Sequence, residues 1–196
     1  GEISGSLKHL ASAGRPVPGI EIKLVNDDGT LTKRGEVGEI LMRSRSTCLG
    51  YYKNPEKTEE EFTDGFWKSG DLARMDENGF IYIVDRKKDL IITGGFNVYA
   101  TEVEAAMSAH PAVMLSAAIG VPHEDWGEAI HGEVVLKDGA SVSEKEFKTF
   151  LRQKLGSIKT PKTISFVDEL PLSAAGKVLR RKVREKRWAH LGRNVN

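Results

Sequence analysis

The stretch Ile81–Thr93, IYIVDRKKDLIIT, decides how this chain is organised, because a charged run, Asp85–Asp89, separates two apolar strands. Before the run, alternating apolar and polar residues broken by Asn, Asp and Gly predict a small, twisted, mostly antiparallel β-module. After it, the predicted order β-β-α-β-β-α-β-α is typical of a compact α+β domain of about 100 residues. The sequence therefore predicts two domains, 1–88 and 89–196, with the boundary at Lys88.

The β-module is predicted from local signals. The turns Asn26–Gly29 and Asp76–Gly79 carry the residues that favour tight connections. Pro55 lies near the first turn of a short acidic helix, Glu56–Phe62. Strands are predicted at Ile20–Val25, Val37–Met42, Phe66–Arg74 and Phe80–Val84.

The α+β domain is predicted from helix-start signals and apolar strands. Thr101 with Glu104, and Ser143 with Glu146, have the spacing of a capping box at the start of a helix. Strands are predicted at Leu90–Thr93, Met114–Val121, Ile130–Leu136 and Thr163–Val167, and helices at Thr101–Ala109, from Ser143 onward and at Val178–Trp188.

Composition narrows the class of protein. The 196 residues carry a net charge of +1, which gives no reason to expect a nucleic-acid partner. The basic segment 177–193 predicts either a solvated helix face or a surface that steers a polyanion. Cys48 is the single cysteine, so no internal disulfide forms, and a reducing, cytoplasmic setting is expected. No segment reaches the roughly 20 apolar residues of a membrane-spanning helix, and no signal-peptide pattern is expected.

Four clusters could carry chemistry. In Trp67–Asp71, WKSGD, the carboxylate either accepts hydrogen bonds from a diol or caps its own turn. Asp85–Asp89 is either a solvated linker or a hinge. The glycine pair in Gly94–Glu104, GGFNVYATEVE, permits a ligand to approach closely or forms a bulge. The lysine of Pro171–Val178, PLSAAGKV, is either a cation for phosphate or carboxylate oxygens or an ordinary surface lysine.

Taken together, in this order and spacing, the four clusters resemble the acyl-adenylate-forming superfamily. That superfamily includes acyl-CoA synthetases, beetle luciferases and peptide-synthetase adenylation domains. The resemblance runs from Gly14 to Arg181. Ile81–Asp89 and Gly94–Tyr99 look most like fatty or aryl acyl-CoA ligases.

The resemblance implies roles in activating a carboxylate. Asp71 should bind the ribose hydroxyls of ATP, and Arg86 the ribose or the phosphates. Lys177 should be the catalytic residue, bridging the α-phosphate and the acyl carboxylate. Lys88 stands at the hinge about which the C-terminal domain rotates between half-reactions.

The resemblance also implies a CoA site. In the thioester-forming orientation, Gly94, Gly95 and Tyr99 should help line the path of the CoA thiol arm. Trp126 should lie near CoA, although a packing role for this tryptophan stays open.

By the same resemblance, the chain is the C-terminal portion of an AMP-forming acyl-CoA synthetase that uses ATP and CoA on a carboxylic acid, with a fatty acid expected. Mg²⁺ should accompany ATP through ligands outside this sequence, and the portion alone should be inactive. Lys177 lies in a motif that a lysine acetyltransferase modifies, and a homodimer is left open. The alternatives are an adenylation domain that loads a carrier protein and a docking module without catalysis.

Overall fold

The computed structural model describes residues 9–190, and the chain divides into two compact units, Gly1–Lys88 (unit 1) and Asp89–Asn196 (unit 2). Together they form an α+β fold of two sheets and four helices among the described residues.

Unit 1 is built on a five-stranded antiparallel sheet in which the long strand β4 is central. β2 pairs along one edge of β4, while β3 and β5 pair along the other. The apolar residues that alternate along these strands form its core. The elements are β1 Ile20–Val25, β2 Val37–Ser44, α1 Pro55–Glu61, β3 Phe62–Thr63, β4 Phe66–Met75 and β5 Ile81–Arg86.

Unit 2 contains a second five-stranded sheet, in which β9 pairs with β8, β10 and β6. The β9–β10 pair is parallel and the other pairs are antiparallel. A 3-10 turn, Lys87–Asp89, leads into this unit from β5. Its elements are β6 Ile91–Thr93, β7 Phe96–Val98, α2 Ala100–Ser108, β8 Val113–His123, β9 Gly127–Leu136, α3 Glu144–Lys159, β10 Thr163–Phe166 and α4 Arg180–His190.

The β8–β9 hairpin is buried on both faces, which explains why most of its residues are apolar. Successive side chains of a strand point to opposite faces, so neighbouring residues enter different cores. On one face it packs against α2 and α3, through side chains that include Met107, Phe147 and Leu151. On the other face it packs against α4 and the segment before it, through Leu170 and Val183.

The predicted order of elements in unit 2 is the observed one, but one local prediction is wrong. Thr101 and Glu104 do not form a capping box, since α2 begins at Ala100 and its N-cap, Tyr99, makes no side-chain capping bond. Ser143 and Glu146 do form the capping box predicted at the start of α3. The short strand β3 was not predicted, and no bounds were predicted for β7, because two or three residues beside a turn carry no periodicity to detect.

Within residues 9–190, no helix has both the length and the apolar character needed to cross a membrane.

The buried face of α3 yields a stability prediction. Leu151 is fully buried, so Leu151→Ala should lower the free energy of unfolding by about 2–5 kcal/mol, through lost burial and the cavity left behind. Leu172 is 45% exposed, and Leu172→Ala should cost about 1 kcal/mol or less. Urea unfolding followed by circular dichroism measures both, and equal losses would contradict this description of the core.

Candidate functional site

Asp71 and Arg86 are cross-strand partners. They lie directly opposite each other on β4 and β5, and Arg86 Nε is 2.9 Å from Asp71 Oδ1. The backbone before Asp71 turns at Gly70, whose φ is +69°, and the Asp71 N–H donates to Ser69 Oγ at 3.0 Å. Among the described residues, no hydrogen bond is formed to Asp71 Oδ2. The aspartate is therefore held in place by Arg86 and does not cap its own turn.

This pair has the chemistry needed to bind a nucleotide. The Asp71 side chain is 27% exposed and that of Arg86 is 56% exposed, so the pair contributes little to stability. The carboxylate keeps one oxygen available as an acceptor, which suits the vicinal diol of a ribose. The guanidinium keeps donors for phosphate oxygens. The two residue types therefore fit the ligand predicted from the sequence.

Lys87 ties the charged run to unit 1. Its ammonium lies 2.9 Å from Asp27 Oδ1 and 2.9 Å from Glu39 Oε2. Partial burial alone would lower the pKa of Lys87, but hydrogen bonds to Asp27 and Glu39 outweigh it and raise the pKa. The stabilisation is thus present below the ordinary lysine pKa and is lost only when the pH rises through the raised value.

The other residues of the run show that it is not a freely solvated linker. Asp85 is buried, and its Oδ1 accepts the Arg86 N–H at 2.8 Å. Lys88 is exposed in the 3-10 turn, and its role as a hinge stays a prediction.

Asp89 is held within unit 2 by a residue that the sequence analysis did not single out. Arg180, at the start of α4, contacts Asp89 Oδ2 through Nη1 at 3.2 Å. The same guanidinium binds both oxygens of Glu104 through Nε and Nη2, at 2.7 and 2.5 Å. Glu104 Oε1 also accepts the Ala118 N–H at 3.0 Å. The signal that could have found Arg180 is an arginine three residues after Lys177, next to apolar positions that face the core.

Gly94 and Gly95 form the two-residue turn of the β6–β7 hairpin, not a bulge. Thr93 and Phe96 pair across the turn, and the two glycines have φ of +55° and +81°. Positive φ at both positions is the requirement of a type I′ turn, which glycine meets without a steric penalty.

Trp126 lies against this turn. The Gly94 N–H donates to the Trp126 carbonyl at 3.0 Å. The Trp126 ring stacks on His123 at 4.2 Å and carries the Lys162 ammonium 4.7 Å from its centroid, and the residue stays 38% exposed. The structure thus brings Trp126 and the glycine turn together. Tyr99 lies half-buried at the other end of β7, as the N-cap residue of α2.

Lys177 projects from a narrow turn that is fixed by its backbone. The Gly176 N–H donates to the Ser173 carbonyl at 2.9 Å, and the Ser173 N–H donates to the Lys177 carbonyl at 2.8 Å. The Lys177 N–H donates to Ser173 Oγ at 3.1 Å. Leu170 and Val178, on either side of the turn, pack into the core beneath α4. The backbone is therefore anchored while the lysine side chain is exposed.

The structure brings predicted site residues together in two groups. Asp71 and Arg86 contact each other in unit 1, and Gly94, Gly95 and Trp126 lie together in unit 2. In the described part of the chain, no hydrogen bond or ion pair joins Lys177 to the glycine turn. Residues 9–190 also contain no cluster of three or more His, Cys, Asp or Glu that could hold a metal ion.

Residues 3–52 match the model of AMP-binding enzymes, and residues 102–177 match that of the AMP-binding enzyme C-terminal domain. The chain belongs to the AMP-binding enzyme superfamily. Its relatives place it on the acyl-CoA ligase branch, as the sequence motifs predicted.

Three relatives illustrate the match. The chain is 46% identical over 178 residues to a long-chain-fatty-acid–CoA ligase of Escherichia coli O157:H7, covering 91% of this chain and 32% of that protein. It is 38% identical over 192 residues to the fatty acid–[acyl-carrier-protein] ligase ScoC of Streptomyces coeruleorubidus, covering 98% and 37%. ATP-bound MatB from Rhodopseudomonas palustris superimposes with a TM-score of 0.84 at 40% identity, covering 90% and 35%. The chain thus spans about a third of the length of these relatives.

The glycine turn yields a second stability prediction. At φ of +55°, Gly94→Val should lower the free energy of unfolding by about 1–2 kcal/mol, because a β-branched residue is strained there. Gly94→Asn is the matched control and should cost much less, since asparagine tolerates this conformation. Urea unfolding curves of the two variants measure the difference. Equal costs would show that the turn does not require positive φ at residue 94.

Proposed function

We propose that this chain works within an ATP-dependent acyl-CoA synthetase, an AMP-forming acid–thiol ligase that acts on a carboxylic acid, with a fatty acid the preferred class. The observation that carries the proposal is the accessible Asp71–Arg86 pair, in a chain 46% identical to a long-chain-fatty-acid–CoA ligase. ATP and CoA are the co-substrates in this proposal. The cytoplasm is the proposed compartment.

In the first half-reaction, a carboxylate oxygen bonds to the α-phosphorus of ATP, the bond to pyrophosphate breaks, and an acyl-adenylate forms. Asp71 holds the ribose through its available carboxylate oxygen, and Arg86 donates to the ribose or the phosphates. Their contact across β4 and β5 fixes both side chains before the ligand arrives. Such preorganisation keeps the groups from having to reorient during the reaction.

Lys177 acts on the charge that builds up in this step. Two anions, the carboxylate and the α-phosphate, approach each other, and a positioned ammonium stabilises the negative charge that they share in the transition state. Hydrogen bonds fix the backbone of the Ser173–Lys177 turn, while the exposed Lys177 side chain can still reach a ligand.

In the second half-reaction, the CoA sulfur attacks the acyl carbonyl and AMP leaves. We assign the Gly94–Gly95 turn, Trp126 and Tyr99 to this step. Two glycines leave the backbone uncovered for the thiol arm, and the partly exposed indole offers a flat apolar surface beside them. Between the two steps, a rotation about Lys88 replaces the Lys177 turn with the glycine turn at the bound nucleotide.

Lys177 is also proposed as a modification site. Its exposed side chain is accessible to a lysine acetyltransferase, and acetylation would remove the charge on which adenylation depends. Mg²⁺ is expected to accompany ATP.

A second candidate is ligation of the acyl group to a carrier protein. It is favoured by the 38% identity to ScoC over 98% of this chain. In that case the first half-reaction and the roles of Asp71, Arg86 and Lys177 are unchanged, and a carrier-protein thiol replaces that of CoA.

The function is tested on the synthetase that contains this chain. It is incubated with ATP, CoA and a panel of fatty and aryl acids, and acyl-CoA and AMP are quantified by mass spectrometry. Equal amounts of acyl-CoA and AMP are expected. Adenylate without CoA thioester would favour the carrier-protein candidate, and the absence of any adenylate would leave only a docking role.

The role of Lys177 is tested by separating the half-reactions. Lys177→Ala should slow adenylation by about 10²–10³-fold, while thioester formation from supplied acyl-adenylate stays largely intact. Lys186→Ala, which removes an exposed lysine of α4, is the control and should change neither rate. Pyrophosphate release and acyl-CoA formation report the two steps. Equal losses in both steps would contradict a role limited to adenylation.

A further inference from the structure

The boundary between the two units is bracketed by side chains that are each tied to their own unit. Unit 1 ends at Lys88 and unit 2 begins at Asp89. Lys87 on one side of this boundary and Asp89 on the other both lie in ion pairs, and none of these pairs depends on the other unit.

On the unit 1 side, the chain is fixed up to Lys87. Arg86 is the last residue of β5 and is paired with Asp71 in both backbone register and side-chain contact. Lys87 then reaches back to Glu39 on β2, whose side chain is only 11% exposed. Asp27 is 86% exposed and contributes little, so Glu39 is the main anchor.

On the unit 2 side, the chain is fixed from Asp89 onward. The guanidinium of Arg180 joins Asp89 to Glu104, and all three side chains are less than 20% exposed. Arg180 binds Glu104 through two parallel contacts, a geometry that lysine cannot reproduce. Two residues beyond Asp89, β6 begins at Ile91, which pairs with Val98.

We propose that Lys87 and Arg180 are positioning residues that confine any rotation between the two units to the backbone of Lys88. Lys87 holds the preceding residue to Glu39, and Arg180 holds the following residue to Glu104. With both neighbours fixed, any change in the orientation of unit 2 relative to unit 1 has to come from the backbone torsions of Lys88. The movement is then a rotation about one residue. The proposal rests on the proposed function in one respect: this rotation is the movement that takes the enzyme from one half-reaction to the other.

The test measures a distance between labels and needs no turnover, so its outcome is independent of the proposed activity. The full chain is spin-labelled at Cys48, its single cysteine, and at a second cysteine introduced by Asp138→Cys on the exposed loop after β9. Pulsed dipolar spectroscopy then gives the distribution of label distances in solution.

Lys87→Met and Arg180→Met should each widen this distribution about twofold, because more residues then share the rotation. Lys87→Arg should restore the parent width, since it restores the charge that faces Glu39. Arg43→Met and Lys159→Met are the controls: each breaks a more exposed ion pair away from the boundary, with Glu21 and Glu102 respectively. Neither control should widen the distribution.

Unchanged widths in both positioning variants, or equal widening in the controls, would overturn the proposal. Circular dichroism establishes that each variant is folded. If Arg180→Met does not fold, Arg180→Lys and Lys87→Met decide the question, with Arg180→Lys expected to widen the distribution because the paired contact with Glu104 is lost.

Discussion

Ion pairing along the run Asp85–Asp89 is the constraint on which the functional parts of this molecule depend. Arg86 is directed at Asp71, Lys87 at Glu39 and Asp89 at Arg180. A stretch of alternating charge would normally be solvated and variable in conformation. Here its partners lie on β2, β4 and α4, so the run fixes the proposed nucleotide-binding carboxylate and also defines where one unit ends and the other begins.

Within unit 2, the β8–β9 hairpin supports both remaining parts of the proposed site, the glycine turn and the Lys177 turn. The start of β9 pairs with β6 at Thr93, which sets the glycine turn beside Trp126. The face of the hairpin that packs against α4 also receives Leu170 and Val178, which flank the Lys177 turn. Burial on both faces makes this hairpin resistant to distortion, so each functional turn has a rigid base.

Much of the fold follows from local patterns in the sequence. β1 was predicted with its observed bounds, because clean apolar–polar alternation and an Asn26–Gly29 turn leave little freedom. The helix α2 starts within one residue of its predicted position, but its capping box was predicted wrongly, because Glu104 has a better partner than its own helix end. Arg180, 76 residues away, offers a charge-assisted paired contact that outweighs a local capping bond. No pattern of neighbouring residues contains that information.

The residues of the proposed site could be predicted from the sequence, but their contacts could not. The resemblance of its motifs to the superfamily pointed to Asp71, Arg86 and Lys177 as the proposed carboxylate, guanidinium and ammonium. It did not show that Asp71 and Arg86 contact each other, since this depends on the β4–β5 register and on the irregularity after Leu72. Nor did it show the Glu39 and Arg180 anchors, which come from distant parts of the chain.

We propose that Asp71, held by Arg86, accepts hydrogen bonds from the ribose of ATP. The most direct measurement compares ATP with 2′,3′-dideoxy-ATP in the adenylation reaction of the synthetase, for the parent protein and for Asp71→Ala. The parent should prefer ATP by about 10–100-fold in kcat/KM, as expected for hydrogen bonds to a charged acceptor, and the variant should lose most of this preference. An Asp71→Ala variant that discriminates as strongly as the parent would contradict the account.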